Sequence, residues 1–220
     1  MKLDPSVQER YPEFISGFAS VSGVTIEPQV EGLEEEKRKV FSELKARYGD
    51  VPVLDIPEVK LYRTFFKAMG ADPSSYRPAP EYLLRRVLDD RFPTINNLVE
   101  ACLLATVEHW VIVGAYDADE IRGEAVVTTA VETEPFKLIN GRELSPKSGE
   151  IVLRDDEKLI CAYTLGDAKS TMIKPQTSNV LVVLWNAPGI ERERVEQALE
   201  SIARYARKYC GGHVEESKIL

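Results

Sequence analysis

The stretch from Tyr62 to Asp119 decides the fold of this chain of 220 residues. With its flanking residues it reads LYRTFFKAMGADPSSYRPAPEYLLRRVL (61–88), PTINNLVEACLLATVEHW (93–110) and VIVGAYDADEI (111–121). Proline and turn residues separate three apolar runs of helical period, and a short apolar run follows them. The stretch therefore predicts three closely spaced helices and one strand.

The rest of the chain adds two helices and a set of strands. Apolar residues at helical spacing predict helices over 33–48, 56–69, 81–88, 95–107 and 191–208. Strands are predicted within 14–26 and 110–116, and several short ones between 124 and 185, with a hairpin turn at Asn140-Gly141. The apolar run SNVLVVLWNA (178–187) predicts a central strand. The tail from His213 to Leu220 is expected to fray, and residues 1–220 are expected to form one α+β domain.

Composition limits the classes of function. The formal net charge is −8, so any contact with a nucleic acid must be local. No apolar run approaches the roughly 20 residues that span a bilayer, and the first residues lack the apolar core of a signal peptide, so we expect a cytoplasmic protein without membrane contact. Three scattered cysteines and two distant histidines favour reduced thiols and neither a metal site nor a cofactor.

One segment is basic within this acidic chain. Between Lys60 and Arg91 there are seven basic and four acidic side chains, a local charge of about +3. Arg77 lies between Tyr76 and Pro78, where the following proline favours extended backbone and would present the guanidinium from a rigid loop. We expect this segment to bind tRNA or another anion through Arg63, Lys67, Arg77, Arg85 and Arg86.

Two alternatives remain open for the adjacent Arg85 and Arg86, which must point about 100° apart on a helix. One of them would pair with a buried carboxylate such as Glu81 or Asp117, with the other solvated. Alternatively, one of them would contact a phosphate.

Polar residues on either side of the buried elements are candidates for a pocket. Adjacent Asn96 and Asn97 open an apolar helix, where one would cap it or bind neighbouring backbone. Asp117 and Asp119 suit a capping turn better than acid–base work. The loop 165–176 is expected to be mostly solvated, although Asp167, Lys169, Ser170 and Thr171 in it are plausible pocket residues. The candidate pocket residues are Asn96, Asn97, Thr106, Gly114, Asp117, Lys169, Ser170 and Thr171.

Three motifs together resemble a known family. PAPEYLLRRV (78–87), INNLVE (95–100) and GAYDADEI (114–121) are similar, in order and spacing, to motifs in the third and fourth domains of the phenylalanyl-tRNA synthetase beta chain. GEIVLRDDEKLICAY (149–163) also resembles a later strand pair of that module. The resemblance implies a layered α+β sandwich of sheets and helices, here as a free-standing copy of the tRNA-binding and editing module.

In that family the module contains a pocket that hydrolyses tRNA mischarged with tyrosine. Its Thr-Asn pair falls here on Cys102 and Leu103, its histidine on Gly114, and the glutamate that selects the tyrosyl hydroxyl on or near Val183. Valine cannot hydrogen-bond a phenol. The resemblance therefore implies a related pocket without the tyrosine-specific chemistry.

Three functions stay open on these observations. The chain would bind tRNA or an aminoacyl-tRNA end; it would hydrolyse a mischarged aminoacyl-tRNA as a separate protein; or it would bind a free amino acid without catalysis, with Arg77 holding the carboxylate. We favour the tRNA-linked functions.

Overall fold

The computed structural model describes residues 1–131 and 134–220. The helices are α1 (Pro5–Arg10), α2 (Glu31–Tyr48), α3 (Pro57–Ala68), α4 (Ala79–Leu88), α5 (Asn97–His109) and α6 (Arg192–Cys210). The strands are β1 (Lys2–Leu3), β2 (Ser16–Ser22), β3 (Ile112–Asp117), β4 (Val126–Thr129), β5 (Phe136–Lys137), β6 (Glu143–Leu144), β7 (Ile151–Arg154), β8 (Leu159–Ala162), β9 (Gly166–Asp167), β10 (Val180–Trp185) and β11 (His213–Ile219). No helix in this part of the chain is long and apolar enough to span a membrane.

The helices begin and end where local chemistry favours it. Proline occupies the first turn of α3 and of α4, where its missing N–H costs no helical hydrogen bond. Asn96 caps α5 by accepting a hydrogen bond from the Val99 N–H at 2.9 Å. Gly211 ends α6 in the left-handed conformation with φ 68°. These positions confirm the predicted helices.

A four-stranded sheet forms the centre of the fold. Its order is β11-β2-β10-β3, with neighbouring strands antiparallel. Every residue of β10 is buried, which confirms the central strand expected for SNVLVVLWNA. One face of the sheet packs on α6, because Gly17 of β2 lies against Leu199 and Val195. The sheet is thus layered against helices, as the α+β expectation requires.

A second sheet covers the opposite face. It has the order β1-β4-β7-β8-β9, with β1 parallel to β4 and the remaining pairs antiparallel. A small ribbon of β5 and β6 adjoins it, and the turn Asn140-Gly141 between them confirms the predicted hairpin. Aromatic side chains pack where the layers meet: Tyr163 contacts Phe65, Phe66 and Trp185.

One expectation was wrong and another holds only in part. The tail does not fray: β11 pairs along β2 from His213 to Ile219, so the last residues form an edge strand. The loop 165–176 is solvated in part, since Lys169 and Ser170 are exposed, but it contains β9 and a 3₁₀ turn at Lys169–Thr171, and Thr171 is fully buried. Both segments are polar, yet backbone pairing fixes them in the fold.

Candidate functional site

A cavity of about 210 Å³ opens between the two sheets, beside the edge strand β3. β3 and β10 form one wall, and the segment from β8 to β9 forms the opposite wall. The loop before α4 and one side of α5 complete it. The residues that line the cavity include Arg77, Leu103, Tyr116, Cys161, Asp167, Val183 and Trp185.

The polar centre of the cavity is a tyrosine–aspartate pair. The Tyr116 hydroxyl donates a hydrogen bond of 2.8 Å to Asp167 Oδ1. Burial raises the pKa of the Tyr116 phenol well above its usual value, and the nearby Asp167 carboxylate adds to this. Burial also raises the pKa of Asp167, although its hydrogen bonds with Tyr116 and Cys161 oppose the rise. The pair therefore couples a neutral donor to the carboxylate of a half-buried residue.

Tyr116 occupies the space beside Gly114. Both residues lie on the same face of β3, two positions apart, and a Cβ built on Gly114 would overlap the Tyr116 hydroxyl. A larger side chain at position 114 would compete with Tyr116 for this space. The tyrosine hydroxyl thus stands where the resembled family would place a histidine side chain.

Trp185 forms part of the cavity wall. Its ring stacks on Tyr163 with centroids 5.4 Å apart and planes 6° apart. Its indole N–H is buried and has no hydrogen-bond partner among the described residues. A buried donor without a partner is costly and uncommon in native proteins. The nitrogen itself is inaccessible to solvent, so it does not open into the cavity in this conformation.

Three guanidinium groups meet at the rim of this cavity. Glu81 at the start of α4 is only 1% exposed. Its carboxylate lies 3.0 Å from Arg63 Nη1, 3.4 Å from Arg77 Nε and 3.2 Å from Arg85 Nη2. Three positive charges share one negative charge, so this arginine cluster keeps a local excess of two. Arg77 is 43% exposed and also lines the cavity, which joins the cluster to it.

The other two predicted basic residues lie nearby but play different parts. Arg86 lies over the ring of Tyr82, 5.1 Å from its centroid, and donates to its hydroxyl at 3.1 Å. Lys67 is exposed on α3. Of the two adjacent arginines, Arg85 pairs with a buried carboxylate. Its partner is Glu81, one of the two carboxylates that were predicted. The five residues are therefore not one continuous row: three converge on Glu81.

Two of the predicted pocket residues line the cavity, namely Gly114 and Thr106. The hydroxyl of Thr106 is already used, since it donates to the Cys102 carbonyl at 3.0 Å and accepts from the Val113 N–H at 3.1 Å. Thr106 therefore joins α5 to β3 and leaves no free polar atom for a ligand.

The two asparagines lie away from the cavity and serve the fold. Asn96 caps α5, and Asn97 is buried, donating to the carbonyls of Thr25 and Tyr209 and accepting from the Glu27 N–H. These bonds tie α5 to the segments that follow β2 and end α6. The hydrogen bonds with neighbouring backbone that were predicted for this pair are thus present.

The remaining pocket predictions also fall outside the cavity lining. Asp117 accepts from the Thr177 hydroxyl at 2.7 Å and from the Asp119 N–H at 3.2 Å, so it forms the predicted capping turn. Lys169 and Ser170 are exposed beside a separate hollow of about 410 Å³, and Thr171 points into the core. Short backbone turns direct these side chains away from the space between the sheets.

Sequence reasoning missed Trp185 and the pairing of Tyr116 with Asp167. Trp185 follows Val183 by two positions on β10, so strand alternation alone would have placed it on the same wall. Tyr116 and Asp167 are 51 residues apart, and no local pattern connects them. Cys102 is buried in the core, whereas Leu103 lies on the cavity wall.

Two other places in the fold bring polar side chains together. A hollow of about 610 Å³ lies along β4, β7 and β8, where its charged side chains Glu134 and Arg154 pair with each other at 3.4 Å. Between α5 and α6, His109 Nε2 lies 2.8 Å from Ser201 Oγ and 3.5 Å from Glu108. Both contacts use the same nitrogen, so they do not form a nucleophile–base–acid relay.

Metal ligands do not gather in the described ranges. Within 1–131 and 134–220, no three or more His, Cys, Asp or Glu side chains are placed to hold a metal ion. The three cysteines are buried and unpaired thiols in this structure. Burial raises the pKa of Cys161 well above its ordinary value, so its thiol stays protonated near neutral pH.

The chain is similar in sequence to beta subunits of phenylalanine–tRNA ligase. The chain is 29% identical over 138 residues to the phenylalanine–tRNA ligase beta subunit of Geobacter metallireducens. This alignment covers 60% of this chain and 17% of that protein. It is 28% identical over 104 residues to the same subunit of Fusobacterium nucleatum, covering 47% of this chain and 13% of that one. The chain thus spans less than a fifth of these relatives.

A solved structure shares the fold. The crystal structure of an N-terminal fragment of the phenylalanyl-tRNA synthetase beta subunit from Pyrococcus horikoshii superposes with a TM-score of 0.52. The superposition covers 100% of this chain and 53% of the fragment at 13% identity. In addition, the family model described as the B3/4 domain matches residues 61–211, which run from within α3 to just past α6 and include both walls of the cavity. The chain therefore belongs to the B3/4 domain family.

Proposed function

We propose that this chain binds the aminoacyl end of a tRNA, with the amino acid in the cavity between the sheets and the tRNA backbone at the arginine cluster. The observation that carries the proposal is the position of Arg77. It belongs to the cluster on Glu81 and also lines the cavity. One ligand could therefore contact both places, and the end of a charged tRNA combines a phosphate with an amino acid.

The arginine cluster suits a phosphate because its charges are not fully balanced. Glu81 offers one carboxylate to Arg63, Arg77 and Arg85, and all three of these side chains are partly exposed. Guanidinium groups bind phosphate oxygens through paired, planar hydrogen bonds. Glu81 holds the three side chains in place before the ligand arrives, which reduces the entropy lost on binding.

The acidic charge of the rest of the chain determines how tRNA binding should depend on salt. With a net charge of −8, most of the surface repels a polyanion, so attraction must come from a few contacts. Two or three phosphate contacts give a modest salt dependence, with a slope of about −0.9 per phosphate for a duplex and about −0.7 for a single strand. We expect binding at 50 mM salt and much weaker binding at 200 mM.

Filter binding with a mixture of charged and uncharged tRNA at 50 mM salt tests the proposal. We expect Arg77→Ala and Arg85→Ala each to weaken binding by about fivefold or more, in the range of a lost charge-assisted hydrogen bond. Arg192→Ala is the matched control, because Arg192 is exposed on α6 and, within the described part of the chain, pairs only with the exposed Glu196. Absence of binding by the wild type, or equal losses in all three variants, would contradict the proposal.

Hydrolysis of the aminoacyl ester is the finer part of the proposal. The ester is already activated, and Tyr116 and Asp167 could orient a water molecule beside it. Deacylation assays over a panel of charged tRNAs test this point, with Tyr116→Phe and Asp167→Asn as variants. Release at the spontaneous rate for every tRNA would leave a binding protein without this activity.

The enclosed cavity also supports a second candidate, the binding of a free amino acid. The acidic surface fits this function, and Arg77 at the rim could hold the carboxylate. It predicts a rise in melting temperature with at least one of the twenty amino acids and no binding of tRNA. A melting temperature unchanged by all twenty would exclude it.

A further inference from the structure

Asp167 lies in the cavity without a cation to balance it. The hydrogen-bond partner of its Oδ1 is the neutral Tyr116 hydroxyl, and the side chain of Cys161 lies beside it. Among the described residues it forms no salt bridge. Arg77, a cationic side chain on the cavity wall, is paired with Glu81 instead.

The ionised form of a carboxylate is unfavourable in such a place. Removing an ionised carboxylate from water is costly unless a cation accompanies it, and otherwise the group becomes protonated. The raised pKa of Asp167 reflects this burial. A ligand that brings a positive charge would restore the ionised form and gain a charge-assisted hydrogen bond.

The rest of the cavity wall is largely apolar. Leu103, Ile112 and Val183 line it together with Trp185. The pair of Tyr116 and Asp167 is therefore a polar group on a mainly apolar surface, within about 210 Å³.

We propose that Asp167 binds the α-ammonium group of the aminoacyl moiety, with Tyr116 holding the carboxylate in position. The proposal rests on the proposed function, because it assumes that the cavity takes an aminoacyl group. It adds the ligand chemistry: a primary ammonium beside a carbonyl, on an amino acid with an apolar side chain. N-acylated or deaminated aminoacyl groups are rejected, since they would leave Asp167 unbalanced.

Amino-acid amides are suitable probes, because they carry the ammonium and the carbonyl but resist hydrolysis. Calorimetry at pH 7 would compare the amides of alanine, valine, leucine and phenylalanine with the matching carboxamides that lack the amino group. We expect at least one amide to bind about tenfold or more tightly than its deaminated partner. Equal affinity within every pair, or no binding of any amide, would overturn the proposal.

Two variants separate the role of Asp167 from the rest of the fold. Asp167→Asn keeps the size of the side chain, and we expect it to remove the preference for the ammonium compound. Glu157→Gln is the control, because this exposed carboxylate lies in the turn between β7 and β8, and it should keep the preference. A preference that persists in Asp167→Asn would overturn the proposal. If Asp167→Asn does not fold, the wild-type comparison still decides.

The same preparations distinguish this proposal from the proposed function. Binding of tRNA without any preference for the ammonium would refute the role of Asp167 and leave the function standing. An ammonium preference that Asp167→Asn removes, without tRNA binding, would support the site but refute the link to tRNA. Tyr116→Phe should retain part of the preference, since it removes only the group that positions Asp167.

Discussion

Gly114 and Val183 face each other across the antiparallel pair of β3 and β10, and both line the cavity between the sheets. The resembled family would place a histidine and a glutamate at these positions, whereas neither residue here has a polar side chain. The polar pair in the cavity consists instead of Tyr116 and Asp167. The cavity thus has the expected location but a different arrangement of polar groups.

The first prediction concerns the contact between Gly114 and Tyr116. Gly114→Ala would place a methyl group where the tyrosine hydroxyl lies, so Tyr116 must move and its bond to Asp167 must lengthen or break. We expect a loss of about 1–3 kcal/mol in the free energy of unfolding, as for other overpacked sites. Denaturant unfolding measures it.

Tyr116→Ala provides the test of coupling for this prediction. In the double variant the methyl group no longer meets the tyrosine, so the combined loss should be smaller than the sum of the single losses by at least about 0.5 kcal/mol. Strict additivity would show that the two side chains do not compete for space.

The second prediction concerns the buried ion pair between α2 and α5. Lys37 Nζ lies 2.5 Å from Glu100 Oε2, and both side chains are almost fully buried. Burial would lower the pKa of Lys37, but hydrogen bonds to Glu100 and Glu34 outweigh it and raise the pKa. Lys37→Met leaves Glu100 charged and unbalanced, and we expect a loss of about 3–5 kcal/mol.

Lys45→Met is the control for this pair. Lys45 also contacts a carboxylate at 2.5 Å, but its partner Asp90 is 81% exposed. An exposed pair contributes about 1 kcal/mol or less. Similar losses in the two variants would argue against the special role of burial.

The third prediction concerns Glu81, the carboxylate shared by three arginines. Glu81→Gln removes the charge that balances Arg63, Arg77 and Arg85, which then repel one another. We expect the melting temperature to fall, with a loss of about 1–3 kcal/mol because the arginines remain partly solvated. Glu196→Gln, in an exposed pair with Arg192, should change stability by less than about 0.5 kcal/mol.

The fourth prediction concerns acid stability. Burial would raise the pKa of Asp155, but the N–H groups of Arg122 and Glu157, together with the Lys158 backbone and ammonium, outweigh it and lower the pKa below 3.8. Because the pKa of Asp155 is lower in the folded state than in the unfolded state, its ionised carboxylate stabilises the fold. This stabilisation is complete above the pKa of the unfolded state and is lost as the pH falls through the pKa of the folded state.

Asp155→Asn should therefore destabilise the protein at pH 7 by about 1–3 kcal/mol, since the amide nitrogen meets donors. The difference from the wild type should shrink as the pH is lowered below about 4, toward and through the folded pKa. Melting curves from pH 7 to pH 2 measure it, with the exposed Asp156→Asn as control. A difference independent of pH would refute the argument.

The fifth prediction concerns β11. Removal of residues 213–220 would expose the backbone of β2, which pairs with β11 from Gly17 to Ser22. At about 1 kcal/mol for each inter-strand hydrogen bond, we expect a loss of several kcal/mol and faster hydrogen exchange of β2 amides. Glu216→Ala alters only an exposed side chain of this strand. It should leave the free energy of unfolding and the hydrogen exchange of the β2 amides nearly unchanged.

Much of the fold follows from local patterns in the sequence. The apolar stripe of α2 has helical period, and the continuous apolar run of β10 indicates a strand buried on both faces. β11 was missed for a physical reason. HVEESKI is polar because an edge strand faces solvent, so its stability comes from pairing with β2 rather than from its own composition.

The site was less accessible to sequence reasoning. The convergence of three arginines on Glu81 could be expected only in part, because Arg77 and Arg85 are four residues from it on either side whereas Arg63 arrives from another helix. Asn97 and Thr106 were candidates for a pocket because they are polar within an apolar run. Their polar groups are instead used by backbone atoms of neighbouring segments, which is the usual requirement for buried polar groups.

The chain has two tryptophans, and only one of them, Trp185, lines the cavity. Trp110 lies in the core at the end of α5, where its ring meets Tyr48 edge to face. Intrinsic fluorescence can therefore be assigned to two separate environments. With Trp110 replaced by phenylalanine, the remaining emission would come from the cavity wall, so quenching or a spectral shift would follow occupancy of the cavity directly, without any attached dye.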